Sequence, residues 1–159
     1  MKSAISFVDL FSGAGGWTLG LSMAGMKHLA SIDNDPDACG TAEDVSGGRI
    51  YCADATRPPK ELLCLRPKVV VGSPPCQGFS TQGVKVESDP RNTLVWTFLD
   101  LVEHFNPEVW LFENVPGFAS MYGGRFVDAV RLRLNAMSNY ETQEMLLSAV
   151  DAICLPCLG

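Results

Sequence analysis

No run of roughly 18 or more uncharged apolar residues occurs anywhere in the sequence, so none of it reads as a bilayer-spanning helix. Positive charge is also scarce. Twelve Lys and Arg against 18 Asp and Glu leave a net charge of −6. Affinity for a phosphate backbone comes mainly from Lys and Arg, so these residues do not form a simple nucleic-acid-binding surface. If a nucleic acid is bound, most of the basic contact surface lies elsewhere, and the chain is expected to be incomplete. Repeats, low-complexity tracts and long charge runs are missing too, which argues against disorder or a second domain. Met1-Lys2-Ser3 runs straight into a strand-like segment with no signal-peptide profile, so the expected location is the cytoplasm.

Six cysteines are present: Cys39, Cys52, Cys64, Cys76, Cys154 and Cys157. Without a leader they read as reduced thiols rather than a disulfide framework. Cys52 and Cys64 are expected in apolar surroundings. Cys154 and Cys157 have CxxC spacing but no second pair or histidine cluster, and a metal site needs about four ligands. No metal is expected.

What the chain does have is the makings of one compact domain, with 159 residues of which 47% are hydrophobic. Short apolar runs alternate with helical spacing. Strands are expected at Ala4–Leu10, His28–Ile32, Arg49–Cys52, Lys68–Gly72 and Val109–Phe112, with a last strand or strand pair over Tyr140–Val150. Helices are expected at Trp17–Ala24, which Gly25 stops, after Asp35-Pro36, at Asn92–Phe105 and at Gly124–Met137. KVVVG is apolar enough to be buried on both faces. This alternation specifies a doubly wound α/β fold on a mostly parallel sheet, with ligands bound beyond the carboxyl ends of the strands. The unusual polar residues fall there. Asp9–Gly16, Asp33, Asp54, Ser73–Ser80 and Glu113-Asn114 each follow a strand, placing five candidate segments on one rim.

Each segment has an ordinary reading beside a chemical one. Phe11-Ser12-Gly13-Ala14-Gly15-Gly16 is a glycine-rich turn into a helix, where backbone can pass close to a ligand. Asp33, twenty residues after Gly13, can accept hydrogen bonds from ribose hydroxyls. Together they favour an adenosine-containing cofactor. Thr18 occupies the place of the third glycine of the dinucleotide fingerprint, which lowers the NAD or FAD reading. Asp54 either contacts an adenine amino group or caps the turn before Pro58-Pro59. Ser73-Pro74-Pro75-Cys76-Gln77-Gly78-Phe79-Ser80 holds a cysteine on a proline-stiffened turn, as suits a nucleophile more than a structural thiol. Glu113 is a strand-end acid able to pair with a ring nitrogen or to cap a helix.

FVDLFSGAGG, PPCQGFS and ENV, in this order and on these strand ends, resemble the cytosine-5 DNA methyltransferase family from about Phe7 to Val150. The resemblance implies the S-adenosylmethionine-dependent, Rossmann-like form of the doubly wound sheet, with S-adenosylhomocysteine as product. It places Phe11, Gly13 and Gly15 along the methionine side of the cofactor, Asp33 at the ribose, and Asp54 and Ala55 at the adenine edge. Asp33 stands where the family has a glutamate, and Asn34 where it often has a larger residue. The resemblance makes Cys76 the nucleophile and Glu113 its catalytic partner, with Pro75, Gln77, Ser80 and Asn114 at the substrate. Carbon 5 of cytosine is too weak a nucleophile to attack a sulfonium methyl directly. The Cys76 thiolate adds to carbon 6 and makes carbon 5 enamine-like, while Glu113 holds nitrogen 3 and the amino group. The base must first be flipped out of the stack.

The departures from the family concern DNA. The family carries a Gln-x-Arg-x-Arg segment after the last strand, where LSAVDAICLPCLG has no arginine. The target-recognition region, the motif that completes the cofactor pocket and a hairpin strand beside strand five are also missing. The expectation is therefore a truncated catalytic domain over residues 1–159, inactive or weakly active alone, meeting DNA through a missing recognition region or a complementing chain. Other readings are a non-catalytic cofactor-binding remnant, half of a split enzyme, an RNA cytosine-5 methyltransferase, or an oxidoreductase, which leaves PPCQ and ENV unexplained.

Overall fold

A computed structural model describes residues 4–75 and 93–148, in two compact units, Met1–Val115 and Pro116–Gly159. The first unit is built on five parallel strands: β1 (Ser6–Leu10), β2 (Lys27–Asp33), β3 (Arg49–Cys52), β4 (Val69–Gly72) and β5 (Val109–Phe112). Their order is β3-β2-β1-β4-β5. Parallel neighbours cannot be joined by a tight turn, so each connection crosses a face of the sheet. The helices α1 (Gly16–Met23), α2 (Pro36–Val45), α3 (Lys60–Leu63) and α4 (Thr93–Phe105) lie in those connections. The doubly wound fold expected from the alternation is the fold observed.

Period-two alternation assigns the two faces. Phe7, Val69 and Val71 form a buried cluster covered by Trp17, Leu21 and Met26, from α1 and the turn after it. On the other face Phe98 of α4 meets Trp110 and Phe112, with ring centroids 6.3 and 5.5 Å apart. Between these layers β4 is buried throughout, as a run of valines ending in glycine requires. Gly72 is where the layers leave no room. A Cβ there would lie 2.5 Å from the Leu10 carbonyl oxygen and 2.8 Å from the Phe98 ring. Backbone cannot yield as a flexible side chain can, so Gly72→Ala is expected to cost about 2 kcal/mol. At a few degrees per kcal/mol, that lowers the thermal midpoint by roughly 4–8 °C in a circular dichroism melt. An unchanged midpoint would mean that β1 and α4 relax around the methyl group.

The helix ends follow local chemistry. Asp35 caps α2 by accepting from the Asp37 and Ala38 amides at 2.9 and 3.3 Å, with Pro36 in the first turn. Gly25, at φ 82°, follows the end of α1 in the left-handed conformation that stops a helix.

Two expectations need correction. Residues 140–148 are not a strand, and Met145, Leu146 and Leu147 are exposed. Apolar spacing supplies no ladder partner, and a strand without one does not form. Instead Arg131 of α5 (Arg125–Ala136) reaches Glu144 with two bonds of 2.7 and 2.8 Å, holding this segment beside its own helix. Second, Cys52 and Cys64 are exposed, because one ends the edge strand β3 and the other ends the single-turn α3. Exposure therefore cannot single out Cys76 among the thiols. Among the described cysteines, Cys39, on the inner side of α2, is the buried one. Burial first, and then hydrogen bonding to Cys52, push its thiol up to about 12. No expectation covered α3 or the 3₁₀ turns Pro116–Phe118 and Met121–Gly124, which are too short to leave a periodic signal. Cys154 and Cys157 lie outside the described residues. Among the described residues no helix is long and apolar enough to cross a membrane, and no three His, Cys, Asp or Glu converge as metal ligands would.

Candidate cofactor and catalytic site

Chain direction across the sheet reverses between β1 and β4, and in such folds the crevice beyond their carboxyl ends receives ligands. The loop leaving β1 is wound tightly there. Phe11 sits at φ 57°, a conformation that costs a bulky residue energy. The Ser12 amide donates to the Ile32 carbonyl at 3.2 Å, and the Gly15 amide returns to the Ser12 carbonyl at 2.9 Å. The two glycines differ in what they require. Gly13, at φ 51°, borders open space. Gly15, at φ 89°, is pressed on α2, where a Cβ would lie 3.0 Å from Val45 Cγ2. Gly13 is thus open to a ligand, whereas Gly15 shapes the turn.

Asp33 ends β2 and joins the loop to the next strand. Its Oδ2 accepts from the Gly13 amide at 2.8 Å and its Oδ1 from the Asp35 amide at 3.0 Å. Each carboxylate oxygen offers two lone pairs, so each has one more acceptor position. Asp54 is exposed and accepts from the Thr56 amide at 2.8 Å, which holds its carboxyl below the usual range. The structure thus shows Asp54 in the turn-capping role. Ala55 beside it is buried.

Asp9 falls in the first rim segment, but the sequence reading gave it no role. Asp9 is the one charged residue inside the apolar run AISFVDL, and that oddity was the available signal. Its Oδ2 accepts from the Thr18 amide at 3.1 Å and from the Thr18 hydroxyl at 2.8 Å. It thereby supplies the cap that Gly15, with no side chain, cannot give α1. Burial pushes the Asp9 carboxyl up to about 7, against the Thr18 hydrogen bonds. Asp9 Oδ1 and Ser12 Oγ are buried without a hydrogen-bond partner among the described residues. Two unmet polar atoms beneath a loop facing open space suit a polar ligand or its ordered water.

The carboxyl ends of β4 and β5 carry the other half of the site. Trp17 Nε1 donates to Ser73 Oγ at 3.0 Å, tying the first turn of α1 to the segment after β4. Asn114 Nδ2 donates to the Pro74 carbonyl at 3.3 Å, while Asn114 Oδ1 accepts from the Val115 amide at 2.9 Å. Asn114 thus braces the backbone two residues before Cys76. The Glu113 amide donates to the Gly72 carbonyl at 3.1 Å, and its side chain is exposed. Pro75 is the last described residue of this segment. Cys76, Gln77 and Ser80 lie outside the described residues.

Comparison with known proteins bears on the family and the fold. The profile of the family described as C-5 cytosine-specific DNA methylase matches residues 5–152. Type II methyltransferase M.AgeI of Thalassovita gelatinovora is 36% identical over 152 residues, covering 91% of this chain and 35% of that protein. In crystal structures, a proposed DNA modification methyltransferase from an E. coli prophage aligns with a TM-score of 0.68 and 27% identity, over 84% of this chain and 38% of that one. The S. pombe Dnmt2 methyltransferase aligns at 0.62 and 25%, over 82% and 41%. The chain spans about a third to two fifths of the length of these three proteins. With the matched profile covering nearly all of its residues, the chain belongs to the C-5 cytosine-specific DNA methylase family.

Proposed function

We propose that this chain carries the cofactor-binding and nucleophile-bearing part of a DNA cytosine-5 methyltransferase that uses S-adenosylmethionine and acts in the cytoplasm. The observation that carries the proposal is the meeting, at the β1–β4 crevice, of the Asp33-anchored glycine loop with the braced backbone leading to Cys76. S-adenosylmethionine supplies an electrophilic methyl group on a sulfonium. Phe11 and Gly13 lie along its methionine part, Asp33 accepts from the ribose hydroxyls, and Asp54 and Ala55 border the adenine. Gly15 acts indirectly through the turn. The Cys76 thiolate adds to carbon 6 of a flipped cytosine, and Glu113 holds nitrogen 3 and the amino group as charge builds there. Pro75, Gln77 and Ser80 border the base, and Asn114 sets the loop that presents them. DNA is gripped by a recognition region beyond these 159 residues or by a complementing chain.

Titration calorimetry with S-adenosylhomocysteine and with NAD tests the cofactor assignment. Heat with the first and none with the second is expected, and the reverse would point to an oxidoreductase. The 159 residues by themselves are expected to give no Cys76-dependent tritiated methyl transfer to unmethylated DNA, with Cys76→Ser as the blank. A net charge of −6 holds duplex poorly, and residues 147–159 offer no arginine to the base. Misalignment alone costs about a hundredfold in rate. Robust Cys76-dependent incorporation would show that these residues suffice.

A further inference from the structure

Beneath the cofactor loop a buried line of hydrogen bonds crosses β2 and ends on Asp9. His28, on β2, is buried and stacked on Phe7 with centroids 4.9 Å apart. Its Nδ1 lies 2.9 Å from Ser46 Oγ and 3.1 Å from the Gly48 amide, which also reaches Ser46 Oγ at 3.1 Å. Thr18 gives its hydroxyl proton to Asp9, so Ser31 gives its own to Thr18 and the proton toward Ser31 comes from Nε2, which leaves Nδ1 the acceptor. Nε2–H donates to Ser31 Oγ at 2.8 Å. The Ser31 hydroxyl proton then points to Thr18 Oγ1 at 3.0 Å, whose own proton goes to Asp9 Oδ2 at 2.8 Å. Every donor in the line faces the same way, and the acceptor at its end caps the helix that the glycine loop enters. The approach at Gly48 is too close for any side chain, since a Cβ there would lie 2.7 Å from His28 Nδ1 and 2.8 Å from the Leu29 carbonyl oxygen.

We propose that His28 is a positioning residue for the cofactor site, whose neutral, Nε2-protonated ring orders Ser31 and Thr18 so that Asp9 holds the first turn of α1 and the glycine loop. The inference rests on reading that loop as the S-adenosylmethionine site. Protonating His28 would set a second donor against the Gly48 amide and turn Ser46 Oγ into its acceptor, which shifts the contacts that seat the ring at the start of the line. Burial keeps the ring's pKa below the ordinary histidine value, which preserves the neutral form. Phe7, Ser31, Ser46 and Gly48 pack on the ring itself. The ionisable groups along the line are Asp9 at its end and Asp33, whose charge reaches Asp9.

Nitrogen-15 spectra of the His28 ring and S-adenosylhomocysteine affinities of variants test this. The ring is expected to hold its proton on Nε2 and to titrate below the usual histidine range. His28→Phe is expected to bind about tenfold more weakly, the worth of roughly one buried hydrogen bond. His28→Gln, whose amide can accept from Gly48 and donate to Ser31, is expected to restore affinity to within about threefold. Should His28→Phe fail to fold, Ser31→Ala cuts the same line and carries the same expectation. A proton on Nδ1, an ordinary titration, or wild-type affinity in the cut variants would overturn the inference. If the wild-type chain binds no S-adenosylhomocysteine, the cofactor reading fails separately. The inference then stands or falls on the Gly13 and Thr18 amide resonances, which must shift in His28→Phe and return in His28→Gln.

Discussion

Asp33→Ala is expected to weaken S-adenosylhomocysteine binding about a hundredfold. Two hydroxyl hydrogen bonds to an ionised carboxylate, each worth about 1.5 kcal/mol, together come to about 3 kcal/mol, which is of that order. The structure adds a second reason. The same carboxylate holds the Gly13 amide at 2.8 Å and the Asp35 amide at 3.0 Å, so alanine also frees the loop from the end of β2. Asp33→Asn separates the two effects. Its amide oxygen can still accept from Gly13, but the charge is gone, and an intermediate loss is expected. Calorimetry at fixed pH gives the affinities, and thermal melts without ligand show whether each variant is folded. An Asp33→Ala chain that folds and binds as well as wild type would remove Asp33 from the site.

The second large effect is on stability, and its sign is the reverse of most carboxylates. In the folded chain the Asp9 carboxyl is raised from 3.8 to about 7. Between those values the folded state keeps a proton that the unfolded state has released, so stability falls as pH rises. Below about 4 both states are protonated and no penalty applies. Above about 7 the full penalty is present, about 4 kcal/mol at 1.36 kcal/mol per pH unit. His28 acts oppositely, because burial lowers its pKa and protonation of the unfolded ring below 6.5 favours unfolding. Asp54 and Glu144, both lowered, contribute stability that is lost as pH falls through their folded values. The contribution of Asp9 is therefore read from the wild-type minus Asp9→Asn difference in urea unfolding free energy, across pH 4 to 7.5. A difference that does not change with pH would mean that Asp9 titrates as an ordinary exposed acid.

Much of the frame was legible before any coordinates. KVVVG announced a strand buried on both faces, and VWLF a further strand. Asp35-Pro36 marked the start of a helix and Gly25 the end of one. These features are local, written in side-chain period and in the φ that proline and glycine permit. The same reasoning failed at Tyr140–Val150, where apolar spacing suggested a strand and residues 140–148 form none. A strand is made by its neighbour, and nothing local to these residues reports whether one is there.

The site divides along the same line. The order of the glycine loop, the strand-end acid, PPCQ and ENV is a property of the chain, because strand ends in a parallel sheet must share one rim. Which of those residues face a ligand and which brace the others depends on distances between segments far apart in sequence. Gly13 borders open space and Gly15 presses on Val45, although both are glycines of one loop. Asn114 reaches back forty residues to Pro74, and Trp17 reaches across fifty-six to Ser73. Nothing in the sequence links Asp9 to His28. Only the packing of β1, β2 and α1 around them, which removes water and leaves each polar atom to find its partner in the protein, joined them into one line.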